Sequence, residues 1–92
     1  MLDCPIQPWD GLAKDMTAIG SVTIWCDAVS SAYTIQTSNN GSSGWTTLFA
    51  IDMATGDKVT SVSAAGRYEI AGGCFIRMNG GSGGTFKLSG EN

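Results

Sequence analysis

The 92-residue sequence contains no histidine. Ser-His-Asp and Cys-His catalysis are therefore excluded, and so are the zinc-ligand sets that rely on imidazole. Charge is scarce as well, at 14% of residues with a net charge of -3. The five cations, Lys14, Lys58, Arg67, Arg77 and Lys87, are scattered along the chain. A phosphate-binding face needs clustered Lys and Arg, so nucleic acid is not an expected partner. The cysteines, Cys4, Cys26 and Cys74, are odd in number and form no C-x-x-C. That pattern reads as reduced thiols from a reducing compartment, with one disulfide plus a free thiol as the alternative. No apolar run approaches the ~20 residues of a membrane span. The opening MLDCPIQPWDG lacks the basic start and apolar stretch of a secretion signal.

Other apparent chemistry reduces to turns. Asp52 and Asp57 flank DMATGD, where a calcium loop would need several oxygen ligands at close alternate positions. The glycine run at 80–84 is followed by neither a helix start nor a Lys-Ser/Thr pair, so it reads as a flexible hairpin loop and not a phosphate cradle. Asn40-Gly41-Ser42 matches a glycosylation acceptor, a short pattern that carries no weight without a secretion signal. No catalytic residue, metal site or cofactor is expected.

What replaces charge is Ser, Thr, Asn and 13 Gly, the composition of short strands and tight turns. From Ser21 the hydrophobic period is two. Val22, Ile24 and Cys26 alternate with Thr23, Trp25 and Asp27, and Tyr33, Ile35 and Thr37 alternate with Thr34, Gln36 and Ser38. NNGSSG at 39–44 marks a turn, after which Trp45, Thr47, Phe49 and Ile51 define one face of a third strand. Further strands are expected at Val59–Val62, around Tyr68 and Ile70, at 74–78 and at 85–89. About seven short strands with turns every 8–12 residues predict an all-β fold, a small antiparallel β-sandwich or jelly roll. Its expected core is Trp45, Phe49, Tyr68, Ile70, Ile76 and Leu88. Arg77, between Ile76 and Met78, needs solvent or a partner, and Glu69 is the candidate. Trp25, on the polar face of its strand, suits burial in the core or at a subunit interface, with a sugar platform as the alternative.

Residues 1–19 differ from residues 20–92. Pro5 and Pro8 break regular structure, and Trp9, Leu12, Met16 and Ile19 then fall near helical spacing between Asp10 and Gly20. The segment is expected to be an N-terminal arm or a short helix outside a β-sandwich domain spanning 20–92.

GWTTL at 44–48, SAAGRYEIAG at 63–72, CFIRMN at 74–79 and GGTFKLSG at 83–90 occur in an order that resembles a β-sandwich module of tailed-bacteriophage structural proteins. Arg67, between Gly66 and Tyr68, departs from that pattern. The resemblance implies a virion protein, most like a capsid decoration (cement) protein on the capsid surface. Its partners would be the major capsid protein and like copies, in a homotrimer. A chain one module long favours decoration over a fibre fragment. The alternatives are a tail or baseplate component and a lectin-like module using Trp9 or Trp25. Pro5, Pro8, Trp9, Leu12, Met16 and Ile19, which lie outside the resemblance, are the expected attachment element, with Trp25 as a further interface residue.

Overall fold

Alternation decides which side of a strand turns inward, and β3 (Ser21–Ala28) shows it most regularly. Val22, Ile24 and Cys26 are buried, while Ser21, Thr23 and Trp25 are half-buried on the opposite face. In the computed structural model, which describes residues 3–91, such strands build two antiparallel sheets packed face to face, with no helix among the described residues. Met1, Leu2 and Asn92 lie outside them. The first sheet has the order β1 (Asp3–Trp9), β11 (Thr85–Glu91), β3, β9 (Gly66–Ala71), β6 (Ala50–Asp52) and β7 (Lys58–Val59). The second has β2 (Lys14–Asp15), β10 (Phe75–Asn79), β4 (Tyr33–Ser38) and β5 (Thr46–Thr47), and β8 (Ser61–Val62) also pairs with β4.

The core lies between the sheets. Val22, Ile24, Tyr68, Ile70, Phe86 and Leu88 of the first sheet meet Ile35, Val62, Ile76 and Met78 of the second. Tyr68, Ile70, Ile76 and Leu88 are buried as expected, but Trp45 is only half-buried and Phe49 is 64% exposed. The expected third strand is in fact two. Thr46–Thr47 pairs with β4 in the second sheet, whereas Ala50–Asp52 pairs with β9 in the first. The chain changes sheets between them, and the inward phase moves to Leu48 and Ala50. The stretch around Val59–Val62 divides in the same way, into β7 and β8 on opposite sheets.

Residues 3–19 of the expected arm or helix are neither a helix nor a separate arm. β1 pairs with β11 and β2 with β10, so this segment contributes to both sheets. Trp9 packs on Phe86 with ring centroids 6.1 Å apart, and its Nε1 donates to the Leu12 carbonyl at 2.9 Å. Met16 is 1% exposed. Backbone bonds to distant segments hold the link between β1 and β3: Met78 N to Gly11 O at 2.8 Å, Met16 N to Cys74 O at 3.1 Å and Gly73 N to Ile19 O at 2.8 Å. The prolines are compatible with this because β1 is an edge strand, where a missing N–H breaks no second ladder. The remaining sheet margins, β7, β2, β5 and β8, are each two residues long.

The glycine run at 80–84 is likewise no free hairpin. It links β10 of one sheet to β11 of the other, and Ser82 exchanges backbone bonds with Ser31. At Gly81 a Cβ would stand 2.3 Å from Tyr33 Cδ1, so close approach of the backbone to that ring requires glycine.

Two outcomes follow from this packing. A chain starting near Gly20 loses Trp9 and Met16 from the core and should fail to give a cooperative melt. In the full chain, Trp9→Ala should cost about 3–5 kcal/mol in urea unfolding. Desolvation pushes the Cys26 thiol above its ordinary 9.0, and desolvation followed by the Asp52 charge pushes the Tyr68 hydroxyl above its ordinary 10.0. The folded state therefore holds protons that the unfolded state releases, so stability is lost as pH rises through and beyond these ordinary values. The melting temperature should decline above pH ~9, with Cys26→Ala moving the onset toward the tyrosine range.

Candidate functional site

Each sheet turns a second face to solvent, and each such face carries one tryptophan stacked by one arginine. On the first sheet the register sets Lys87, Trp25 and Arg67 side by side. The Arg67 guanidinium lies 5.2 Å from the Trp25 ring centroid, and Trp25 Nε1 donates to Ser89 Oγ at 2.9 Å. Lys87 pairs with Asp27 at 3.2 Å, both well exposed, so the pair adds little to stability. Glu69 accepts from Ser21 Oγ at 3.1 Å. It belongs to the sheet opposite Arg77 and is not its partner.

The second sheet presents a more fixed arrangement. On β10, Ile76 and Met78 point inward, which turns Phe75, Arg77 and Asn79 outward. Arg77 Nε donates to Gln36 Oε1 at 2.7 Å, and its guanidinium carbon stands 4.3 Å from the Trp45 ring centroid. This tight cation–π contact is made by the loop at 39–45, which folds back over the sheet. Ser38 and Asn40 shape the loop. Ser38 Oγ accepts from Asn40 N and Gly41 N and donates to Ser43 O, while Asn40 Oδ1 accepts from Ser42 N and Ser43 N at 2.9 Å each. Gly41, at φ +77°, lies flat on Phe75, and a Cβ there would come within 2.6 Å of the ring. The turn cluster read at 39–44 thus builds a platform of Trp45, Arg77, Gln36 and Phe75. Its sequence signal was the apolar-flanked Arg77. What hid the platform was the loop's return over the sheet, which no period reports.

The expected attachment residues are dispersed. Trp9 and Met16 are core, and Ile19 packs against the core from its edge. Pro5, Pro8 and Leu12 are exposed, Leu12 by 68%, and Trp25 is half-covered by Arg67. Leu12 and Pro8 line an open groove with Lys14 and Phe86. Phe49, expected in the core, is exposed together with Ile51 of the same expected strand and Met53 of the turn after it. They follow one another at alternate positions along β6 and its flanks, and Lys58 sits 5.6 Å from the Phe49 ring centroid.

Among the described residues no group of three or more Cys, Asp or Glu is placed to hold a metal ion. The outward carboxylate of β2, Asp15, is turned to Thr17. Hydrogen bonds from the Thr17 hydroxyl at 2.6 Å and backbone N–H at 3.0 Å hold it below the usual carboxylate range. Asp52 closes its own turn, with Oδ1 accepting from Ala54 N at 2.9 Å. These carboxylates serve local turns, and the solvent faces offer contact surfaces. No protein-family model matches the chain, and no curated protein or solved structure matches it.

Because Trp45 lies outside the inter-sheet core, Trp45→Ala should lower unfolding stability by only about 0.5–2 kcal/mol, the range of one cation–π contact. Ile76→Ala, at a fully buried site, should cost about 2–5 kcal/mol. Chemical denaturation of the two variants measures the contrast.

Proposed function

We propose that this chain is a structural protein of a tailed-phage particle, a decoration protein that binds the assembled head and reinforces it mechanically. The reading starts from the ordered motifs at 44–48, 63–72, 74–79 and 83–90, which resemble such modules. The observation that carries it is the solvent-facing run Phe49, Ile51 and Met53, which are 64%, 36% and 49% exposed, with Lys58 and Glu69 as the ladder neighbours of Ile51. Neighbouring large apolar side chains left in water mark a surface that another protein covers. Contacts between like subunits are the more apolar class, so we assign this run to copies of the chain, in a homotrimer. The opposite sheet face, which carries Trp45 and Arg77, is then left for the major capsid protein. Burial on both faces, at ~25 cal/mol per Å² of apolar surface, would tie neighbouring shell subunits together.

The experiment is co-sedimentation of the native chain with undecorated heads and, separately, with purified tails. The expected result is saturable binding to heads alone. Binding to tails alone would move the protein to the tail or baseplate, and binding to neither would remove the virion reading. In parallel, Phe49→Ser combined with Ile51→Ser should convert the oligomer to monomer in sedimentation equilibrium while keeping the melting temperature within a few degrees. An unchanged oligomer would exclude this run as the copy-to-copy contact.

A further inference from the structure

We infer that Arg77 is a docking point for a carboxylate side chain of a partner protein. The guanidinium's surroundings favour such a partner whether or not it is a capsid. A guanidinium has five N–H donors, and Arg77 uses only Nε, toward Gln36. Its two terminal amino groups make no hydrogen bond among the described residues, and no carboxylate of those residues lies within 4.0 Å of it. No buried side-chain nitrogen or oxygen among the described residues is left unpaired, so these amino groups face water. They form the outer edge of the fork, the edge that meets both oxygens of a carboxylate at once.

The side chain is also held in place. Gln36 fixes Nε from one strand and Trp45 covers a face from the returning loop, so little rotamer freedom remains to be lost on binding. The five strands of this sheet carry one carboxylate, Asp15, and its Oδ1 is already engaged by both donors of Thr17. An anchored cation without its own counter-charge, between the partly exposed rings of Phe75 and Trp45, matches an acidic residue with an apolar neighbour. Arginine and tryptophan in such settings dominate the energy of protein contacts.

The test uses two capped tripeptides, acetyl-Leu-Glu-Leu-amide and its Gln counterpart, with sodium glucuronate as a free sugar acid. Binding is followed by NMR at the Trp45 indole and the Arg77 guanidinium. The Glu peptide should give saturable shifts at both groups and bind about tenfold more tightly than the Gln peptide or glucuronate. Arg77→Gln should abolish the difference between the peptides. Arg77→Lys, which keeps the charge but loses the fork, should bind the Glu peptide about tenfold more weakly. Asn40→Ala, which keeps Arg77 but loosens the loop, should also weaken it. Equal affinity of the native chain for the two peptides would overturn the inference without recourse to any variant. Undiminished binding by Arg77→Lys would overturn the fork, and tighter binding of glucuronate would replace the protein partner with a saccharide.

Discussion

Pairing of β11 with β1 on one side and β3 on the other is the constraint on which the rest of this molecule depends. Seven registered residues join β11 to β3, and five join it to β1. β11 supplies Phe86 and Leu88, and Phe86 touches both Trp9 and Tyr33, its ring centroid 5.0 Å from that of Tyr33 in an edge-on contact. The strands that meet here come from opposite ends of the described chain. Little of the first sheet can be secured by local contacts, because its central ladder joins residues some sixty positions apart. Folding must close that loop before burial rewards it, which is the condition under which β proteins fold slowly.

Once the sandwich is closed, its solvent faces are built by a common device. Aromatic area too large to leave bare is laid against an arginine, Trp25 under Arg67 on one side and Trp45 under Arg77 on the other. Each pair lets a ring stay half in water without a wide apolar patch. The two pairs differ in what holds the arginine. Arg67 is exposed on its ladder, whereas Arg77 is fixed by a strand neighbour and a returning loop. Phe49, Ile51 and Met53 lack such cover except for Lys58 over Phe49. The proposed function assigns contacts to these two unlike surfaces, one apolar and one carrying a fixed charge.

Much of the fold was legible because alternation survives wherever a strand stays in one sheet. The buried faces of β3, β9, β10 and β11 follow from Val22, Ile24, Tyr68, Ile70, Ile76 and Leu88 read at period two. Alternation fails where the chain crosses between sheets, since crossing resets which side is inward. That is why Phe49 looked like core and lies in water, with Ile51 beside it. The amino-terminal segment misled for another reason. Trp9, Leu12, Met16 and Ile19 imitate helical spacing, but Trp9 and Met16 enter the core from two different strand regions while Leu12 sits on the rim. Local spacing also says nothing of which distant strand a residue will meet. Gln36 and Trp45 therefore displaced Glu69 beside Arg77, and Tyr33 turned the glycine run into a packed crossover.

The margins of the two sheets carry a further consequence. Pro5 and Pro8 interrupt the one long outer strand, and each other margin spans only two residues. Among the described residues a neighbouring chain therefore finds no long uninterrupted row of backbone donors and acceptors to copy. Copies crowded together meet through side chains more readily than through strand edges. A sequence rich in short β segments is thereby shielded, while folded, from edge-to-edge joining.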